Sequence, residues 1–129
     1  MSPAMTPMTP IPSHLPDPTS TLEITPAAVS AWVNLSRDQR PRLIDCREAD
    51  ELAICQIPGN DWLPLSAFPV AGAKLAADSE RGIVVYCHHG VRSLRAAAFL
   101  REQGVEQAFS MSGGIDRWSR LIDPEVPRY

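Results

Sequence analysis

Long hydrophobic runs are missing from this chain of 129 residues. The longest, Ile83 to Cys87 among them, are five residues, against the roughly 20 that a helix needs to span a bilayer. Cysteine is scarce as well. Three residues, Cys46, Cys55 and Cys87, with no Cys-x-x-Cys pair, argue against a disulfide framework and against a structural zinc site. The contiguous Cys87-His88-His89 lacks the usual ligand spacing. No sign of charge dominates: 12 basic and 15 acidic side chains give a net charge of −3, without the basic excess of a general nucleic-acid binder. The first 36 residues contain no Lys or Arg and no apolar core segment. Neither a secretory signal nor a transit peptide is read there, and a cytoplasmic protein is expected.

What is present divides unevenly. Six of the 13 prolines fall within the first 20 residues. Residues 1–21 are therefore expected to form an extended or disordered Pro-rich tail, and residues 22–129 a single domain. With 44% hydrophobic residues overall, the chain has enough apolar material for one core.

Within the domain, strand-like and helix-like segments alternate. Leu22 to Ile24 reads as a first strand. Thr25-Pro26 has the form of an N-cap followed by Pro at the first helical position, opening a helix over Ala27 to Leu35. Arg42 to Cys46 is a strand, Glu48 to Ile54 a short helix, and Ile57-Pro58-Gly59 a turn before a brief strand at Trp62-Leu63. Ser66 to about Ala77 is a looser helical region holding Pro69 and Gly72. Ile83 to Cys87 is β-branched and apolar, as a buried parallel strand requires. Ser93 to Gln103 is helical, with Gly104 where a left-handed cap is favoured. Gln107 to Met111 and Ile115 to Leu121 supply a last strand and helix around the Ser112-Gly113-Gly114 turn. This alternation predicts an α/β fold, a parallel sheet covered by helices on both faces.

The chemistry concentrates where the strand ending at Cys87 meets the next helix. In an open parallel sheet, ligands bind beyond the carboxyl ends of the strands. There, loop N–H groups and a helix N-terminus form an anion-binding concavity. Gly90 permits a backbone conformation that a side chain would obstruct, and Arg92 adds a permanent positive charge. Lowering a thiol pKa from about 8.5 to about 7 takes roughly 2 kcal/mol of preference for the thiolate. A helix terminus supplies about 0.3–1 kcal/mol, so the loop amides and Arg92 are needed as well. Between residues 81 and 101 there are four Arg (Arg81, Arg92, Arg95, Arg101) and no acidic residue. That local excess suits an anionic substrate or an acidic partner surface, with Arg95 and Arg101 as solvated helix positions being the plainer reading.

Cys87-His88-His89-Gly90-Val91-Arg92-Ser93 resembles the active-site loop of rhodanese-like sulfurtransferases. Asp45-Cys46-Arg47-Glu48, Ile57-Pro58-Gly59, Pro64-Leu65 and Gly113-Gly114-Ile115-Asp116-Arg117-Trp118 resemble further segments of that family, in family order. The resemblance implies a rhodanese-like, five-stranded, mainly parallel sheet with helices on both faces. Cys87 would be the catalytic nucleophile, taking a sulfane sulfur from a small anionic donor such as thiosulfate. The resulting persulfide would pass its sulfur to cyanide, a thiol or a protein acceptor. His88, His89, Gly90, Val91, Arg92 and Ser93 would bind substrate, the two histidines mainly through backbone N–H groups. No metal or organic cofactor is implied, and neither a nucleic-acid nor a membrane partner.

The supporting residues have plainer readings. Asp45 and Arg47 are expected to pair and hold the fold, with support of the loop as their functional role. Ser93 is expected to cap its helix, the alternative being donation to the sulfur. Trp118 reads as a packing anchor. Cys46 and Cys55 read as small core residues, with a resolving thiol as the alternative. Four residues separate Cys87 from Arg92, one fewer than in a Cys-x5-Arg phosphatase loop. A non-enzymatic sulfur-carrier or regulatory module, an arsenate reductase and a phosphatase are the competing functions. Cys55-Gln56-Ile57-Pro58-Gly59-Asn60 departs from the family's usual Gly-His-Ile-Pro-Gly-Ala, and Asp61 is unusual in the strand that follows.

Overall fold

A computed structural model describes residues 21–78 and 81–129. Of the expected tail, residues 1–20 lie outside the described residues. The elements are β1 (Glu23–Ile24), α1 (Pro26–Val33), β2 (Arg42–Asp45), α2 (Ala49–Ile54) and β3 (Asp61–Trp62). A 3-10 turn (Leu65–Ala67) follows, then α3 (Phe68–Asp78), β4 (Ile83–Tyr86), α4 (Val91–Glu102), β5 (Ala108–Met111) and α5 (Gly114–Leu121). The five strands form one sheet in the order β1-β5-β4-β2-β3, and every pairing is parallel.

The period-two pattern of the strands sorts the core onto two faces. Leu43, Val84, Tyr86 and Phe109 point to one side, where they meet Val29 and Trp32 of α1 and Ile115 and Trp118 of α5. Ile44, Ile83, Val85 and Ala108 point to the other, where they meet Phe68 and Leu75 of α3 and Ala96 and Leu100 of α4. A strand buried on both sides has no polar face to alternate with, which is why β4 reads as an unbroken apolar run.

Local chemistry sets the ends of the elements. The Thr25 Oγ1 accepts the Ala28 N–H at 3.2 Å, and Pro26 follows at a position where its missing N–H costs nothing. Glu48 and Glu51 form a reciprocal capping box at the start of α2. The segment that departs from the family pattern holds together by its own bonds: the Asn60 side-chain amide donates to Gln56 Oε1 and to the Ile57 carbonyl, both at 2.8 Å. Asp61, unusual for a strand, faces Arg42 of the neighbouring β2 at 3.3 Å.

The connection after β2 runs outward to β3, while the connection after β4 runs the other way to β5. In an open parallel sheet, such a reversal is where a site forms beyond the carboxyl ends of the strands, here β2 and β4. Cys46 and Cys87 are the residues that immediately follow those two strands.

Candidate functional site

Cys87 is buried, 1% exposed, beneath the loop of residues 88–90 that leads into α4. Gly90 takes φ +104°. That conformation strains any residue with a side chain, and a Cβ there would also crowd the Gly113 amide at 3.3 Å. With Gly90 so placed, its N–H donates to the Cys87 Sγ at 3.1 Å and the Ser93 N–H does so at 3.4 Å. The Ser93 Oγ lies 3.5 Å from the same sulfur.

Ser93 is not the cap that the sequence suggested. Gly90 occupies the N-cap position of α4, and Ser93 is fully buried on the core side of the first turn. There its hydroxyl is shared between the Cys87 sulfur and Ser110 Oγ, which is 2.7 Å away. Ser110 in turn donates to the Gly90 carbonyl at 3.5 Å. Its one sequence signal was a hydroxyl in the middle of an otherwise apolar strand.

The loop is also held from below. The first amides of α5 bind its carbonyls, Ile115 N–H to Cys87 O at 2.8 Å and Asp116 N–H to His88 O at 3.2 Å. Gly114 lies so close that a Cβ would run into both carbonyl oxygens. The Gly113-Gly114 turn, read in the sequence as a turn and as part of a family-like segment, thus buttresses the site.

These contacts set the sulfur's charge. The Cys87 thiol is pushed down from 9.0 to about 4, first by a hydrogen bond from the Cys46 thiol. Burial opposes the shift, and the Ser93 hydroxyl with the Ser93 and Gly90 amides adds to it. Cys46 carries the counterpart, its thiol pushed far up by donating to Cys87 and by burial. The two shifts run in opposite directions and favour the charged form at Cys87 over Cys46. Donors aimed at a sulfur in a water-poor site supply what the helix terminus alone could not.

Arg92 stands differently from the expected free charge. Its guanidinium makes a two-pronged pair with Glu51, at 2.6 and 2.9 Å. Arg92 holds the Glu51 carboxyl down at about 2. Glu51 also accepts the Tyr129 hydroxyl at 2.7 Å. Sequence reading missed Glu51 and Tyr129; Glu51 had a signal only as the third residue of a capped helix.

Nor do Arg81 and Arg101 of the 81–101 stretch gather here. Arg81 precedes β4, at the opposite end of the sheet, and binds the Arg37 carbonyl. Arg101 is near the far end of α4, over the Phe109 ring and bonded to the Ala108 carbonyl. A count along the sequence cannot see that a strand and a helix carry these charges apart.

Asp45 and Arg47 form an ion pair with both side chains fully buried, the Arg47 guanidinium donating to Asp45 Oδ2 at 2.7 Å. Arg47 also donates to the Cys55 carbonyl at 2.6 Å and to the Tyr129 hydroxyl at 2.8 Å. Its bonds go to the 51–55 region and to residue 129 rather than to the backbone of residues 88–93. His88 turns away from the sulfur, its ring stacked on Tyr129 at 3.9 Å with Nε2 2.9 Å from the Tyr129 carbonyl oxygen. His89 and Val91 are exposed. Trp118 is buried in the core against α1.

His88, His89 and Asp116 bring one nitrogen or oxygen each within 4.8 Å of one another, the spread of a loose metal site. The Asp116 carboxylate is already engaged by Arg120 and Arg128, and His88 by Tyr129, so these atoms hold protein partners instead. Among the described residues no helix is long and apolar enough to cross a membrane.

The sequence profile of the Rhodanese-like domain matches residues 28–121. The chain is 39% identical to the thiosulfate sulfurtransferase GlpE of Haemophilus influenzae over 102 residues, 79% of this chain and 91% of that protein. It is 36% identical over 92 residues to the chloroplastic Rhodanese-like/PpiC domain-containing protein 12 of Arabidopsis thaliana, spanning 68% of this chain but 30% of that longer protein. Among solved structures, RPA3614 of Rhodopseudomonas palustris, described as a possible tyrosine phosphatase, superposes with a TM-score of 0.69 at 23% identity, over 99% of this chain and 100% of that one. At that identity the likeness carries the architecture alone.

Proposed function

Because this chain belongs to the rhodanese-like domain family of sulfurtransferases, we propose that it moves a sulfane sulfur through a persulfide on Cys87. The observation that carries this reading is the Cys87 sulfur accepting the Gly90 and Ser93 amides at a strand end. In the first half-reaction the thiolate attacks the outer sulfur of a donor such as thiosulfate. The donor's S–S bond breaks, sulfite departs with its electron pair, and Cys87 is left as an anionic persulfide. In the second, a thiophilic acceptor (cyanide, a small thiol or a protein thiol) attacks the outer sulfur and frees the thiolate.

The loop amides that now face Sγ, with the Ser93 hydroxyl, stabilise negative charge on either sulfur. In this reading His88, His89 and Val91 contribute backbone at the mouth. Arg92 balances the incoming dianion and is kept in place by Glu51. The Asp45–Arg47 pair supports the site at one remove, through Glu51 and Tyr129. A reaction that needs a reduced cysteine suits the reducing cytoplasm.

A phosphatase is the second reading, and the loop argues against it. Four residues between Cys87 and Arg92 make a tighter cup than the five of a Cys-x5-Arg loop, which accommodates a phosphoryl group. The test is thiocyanate formation from thiosulfate and cyanide, with an aryl phosphate in a parallel assay. Thiocyanate turnover that falls to background in Cys87→Ser supports the proposal. Aryl phosphate turnover that depends on Cys87, with no thiocyanate, replaces it by the phosphatase.

A further inference from the structure

β2 and β4 lie side by side in parallel, with Asp45 opposite Tyr86. The ladder runs one step past the strands, the Cys46 N–H donating to the Tyr86 carbonyl at 3.1 Å. The residues next in register are Cys46 and Cys87. Neighbouring strands are about 4.8 Å apart, within the roughly 4.4–6.8 Å between Cα atoms that a disulfide spans. Both side chains point to the same face, in the core cluster that also holds Ile44 and Val85. Cys55 belongs to the cluster on the opposite face. None of the three cysteines is in a disulfide, and Cys46 and Cys87 are both buried in the cluster with Ile44 and Val85. A second thiol therefore lies beside the nucleophile on the sheet side, while the Gly90 and Ser93 amides approach it from the loop.

We propose that Cys46 is a resolving thiol, which attacks Sγ of the Cys87 persulfide when no external acceptor removes the outer sulfur. The Cys46 sulfur supplies the electron pair of a new Cys46–Cys87 disulfide. The bond from Cys87 Sγ to the outer sulfur breaks, and its pair leaves with that sulfur as hydrosulfide, which takes the proton of Cys46. The two cysteines are oxidised and the sulfane sulfur is reduced, so the step needs no outside oxidant. Two equivalents of a small thiol then reduce the disulfide and restore the site. The protein thereby has a second output, sulfide release, in competition with transfer to an acceptor.

This inference rests on the Cys87 persulfide, and its test separates the two. The full chain, reduced and freed of reductant, is given thiosulfate with no acceptor. Sulfite and sulfide are measured, and the protein is alkylated and peptide-mapped without reduction. The expected result is sulfite and sulfide in equal amounts, with the peptide of Cys46 linked to that of Cys87. In Cys46→Ser the sulfur is expected to stay on Cys87, seen as the added mass of one sulfur atom, with sulfide at background. Sulfite release from wild type with the sulfur retained on Cys87 and no linked peptide overturns the role of Cys46 and leaves the persulfide standing. Sulfide release that is undiminished in Cys46→Ser overturns it too. No sulfite from the wild type overturns the persulfide reading and this inference together. Should Cys46→Ser fold poorly, the wild-type peptide map decides alone.

Discussion

Ser93 shows at the scale of one residue how a site can differ from its sequence. A serine at the start of a helix is ordinarily a cap, because its oxygen can satisfy an orphan N–H. Here Gly90 turns the chain so that α4 begins at Val91, and Ser93 enters the core with its hydroxyl between Cys87 and Ser110. A hydrogen bond to a charged group is worth about 1.5–3 kcal/mol, which corresponds to raising the thiol's pKa by about 1–2. In Ser93→Ala the pH midpoint of iodoacetamide labelling at Cys87 should therefore move up from about 4 by that amount. Labelling falls as pH drops through the midpoint, since protonation removes the nucleophile. An unmoved midpoint would assign the Ser93 hydroxyl to Ser110 alone. Cys46 makes the same point more strongly. In the sequence it reads first as a small core residue, with a resolving thiol as the alternative, and the register of β2 against β4 brings it beside Cys87.

Among the elements, those with strong local signals were legible. The Thr25-Pro26 start of α1, the apolar run of β4 and the glycine that ends α4 rest on chemistry within a few residues. The region from Ser66 to Ala77 read as loosely helical because it holds Pro69. In the structure Pro69 sits in the first turn of α3, where its missing N–H breaks no helical bond. What could not be read was contact between distant elements. Glu51 reaches Arg92 across 41 residues, and the first turn of α5 holds the carbonyls of Cys87 and His88. The α5 contact has a direct test in Gly114→Ala. Gly114 has φ +61° and no room for a Cβ, so strain of about 1 kcal/mol adds to a clash that pushes the loop away. Thermal unfolding should shift to lower temperature, and thiocyanate formation should fall by more than the loss of folded protein explains. Unchanged turnover in a folded variant would separate the α5 turn from the position of the loop.

For the molecule as a whole, the sheet order decides where chemistry can happen. Parallel pairing aligns all strand ends, and the connections after β2 and β4 run in opposite directions. At that switch lie one cysteine after each strand and the amides of the loop, with the Glu51–Arg92 pair joining α2 to α4. The net charge of −3 says little about this place, since the arginines that looked clustered in sequence are spread over both ends of the sheet. The account turns on one claim: Cys87 takes the sulfur before any acceptor arrives. Rapid-quench measurement of sulfite from thiosulfate, in the absence of acceptor, tests it most directly. A burst of one sulfite per wild-type chain, absent in Cys87→Ser, is predicted. Sulfite that forms only when acceptor is present, or a burst that survives in Cys87→Ser, would contradict it.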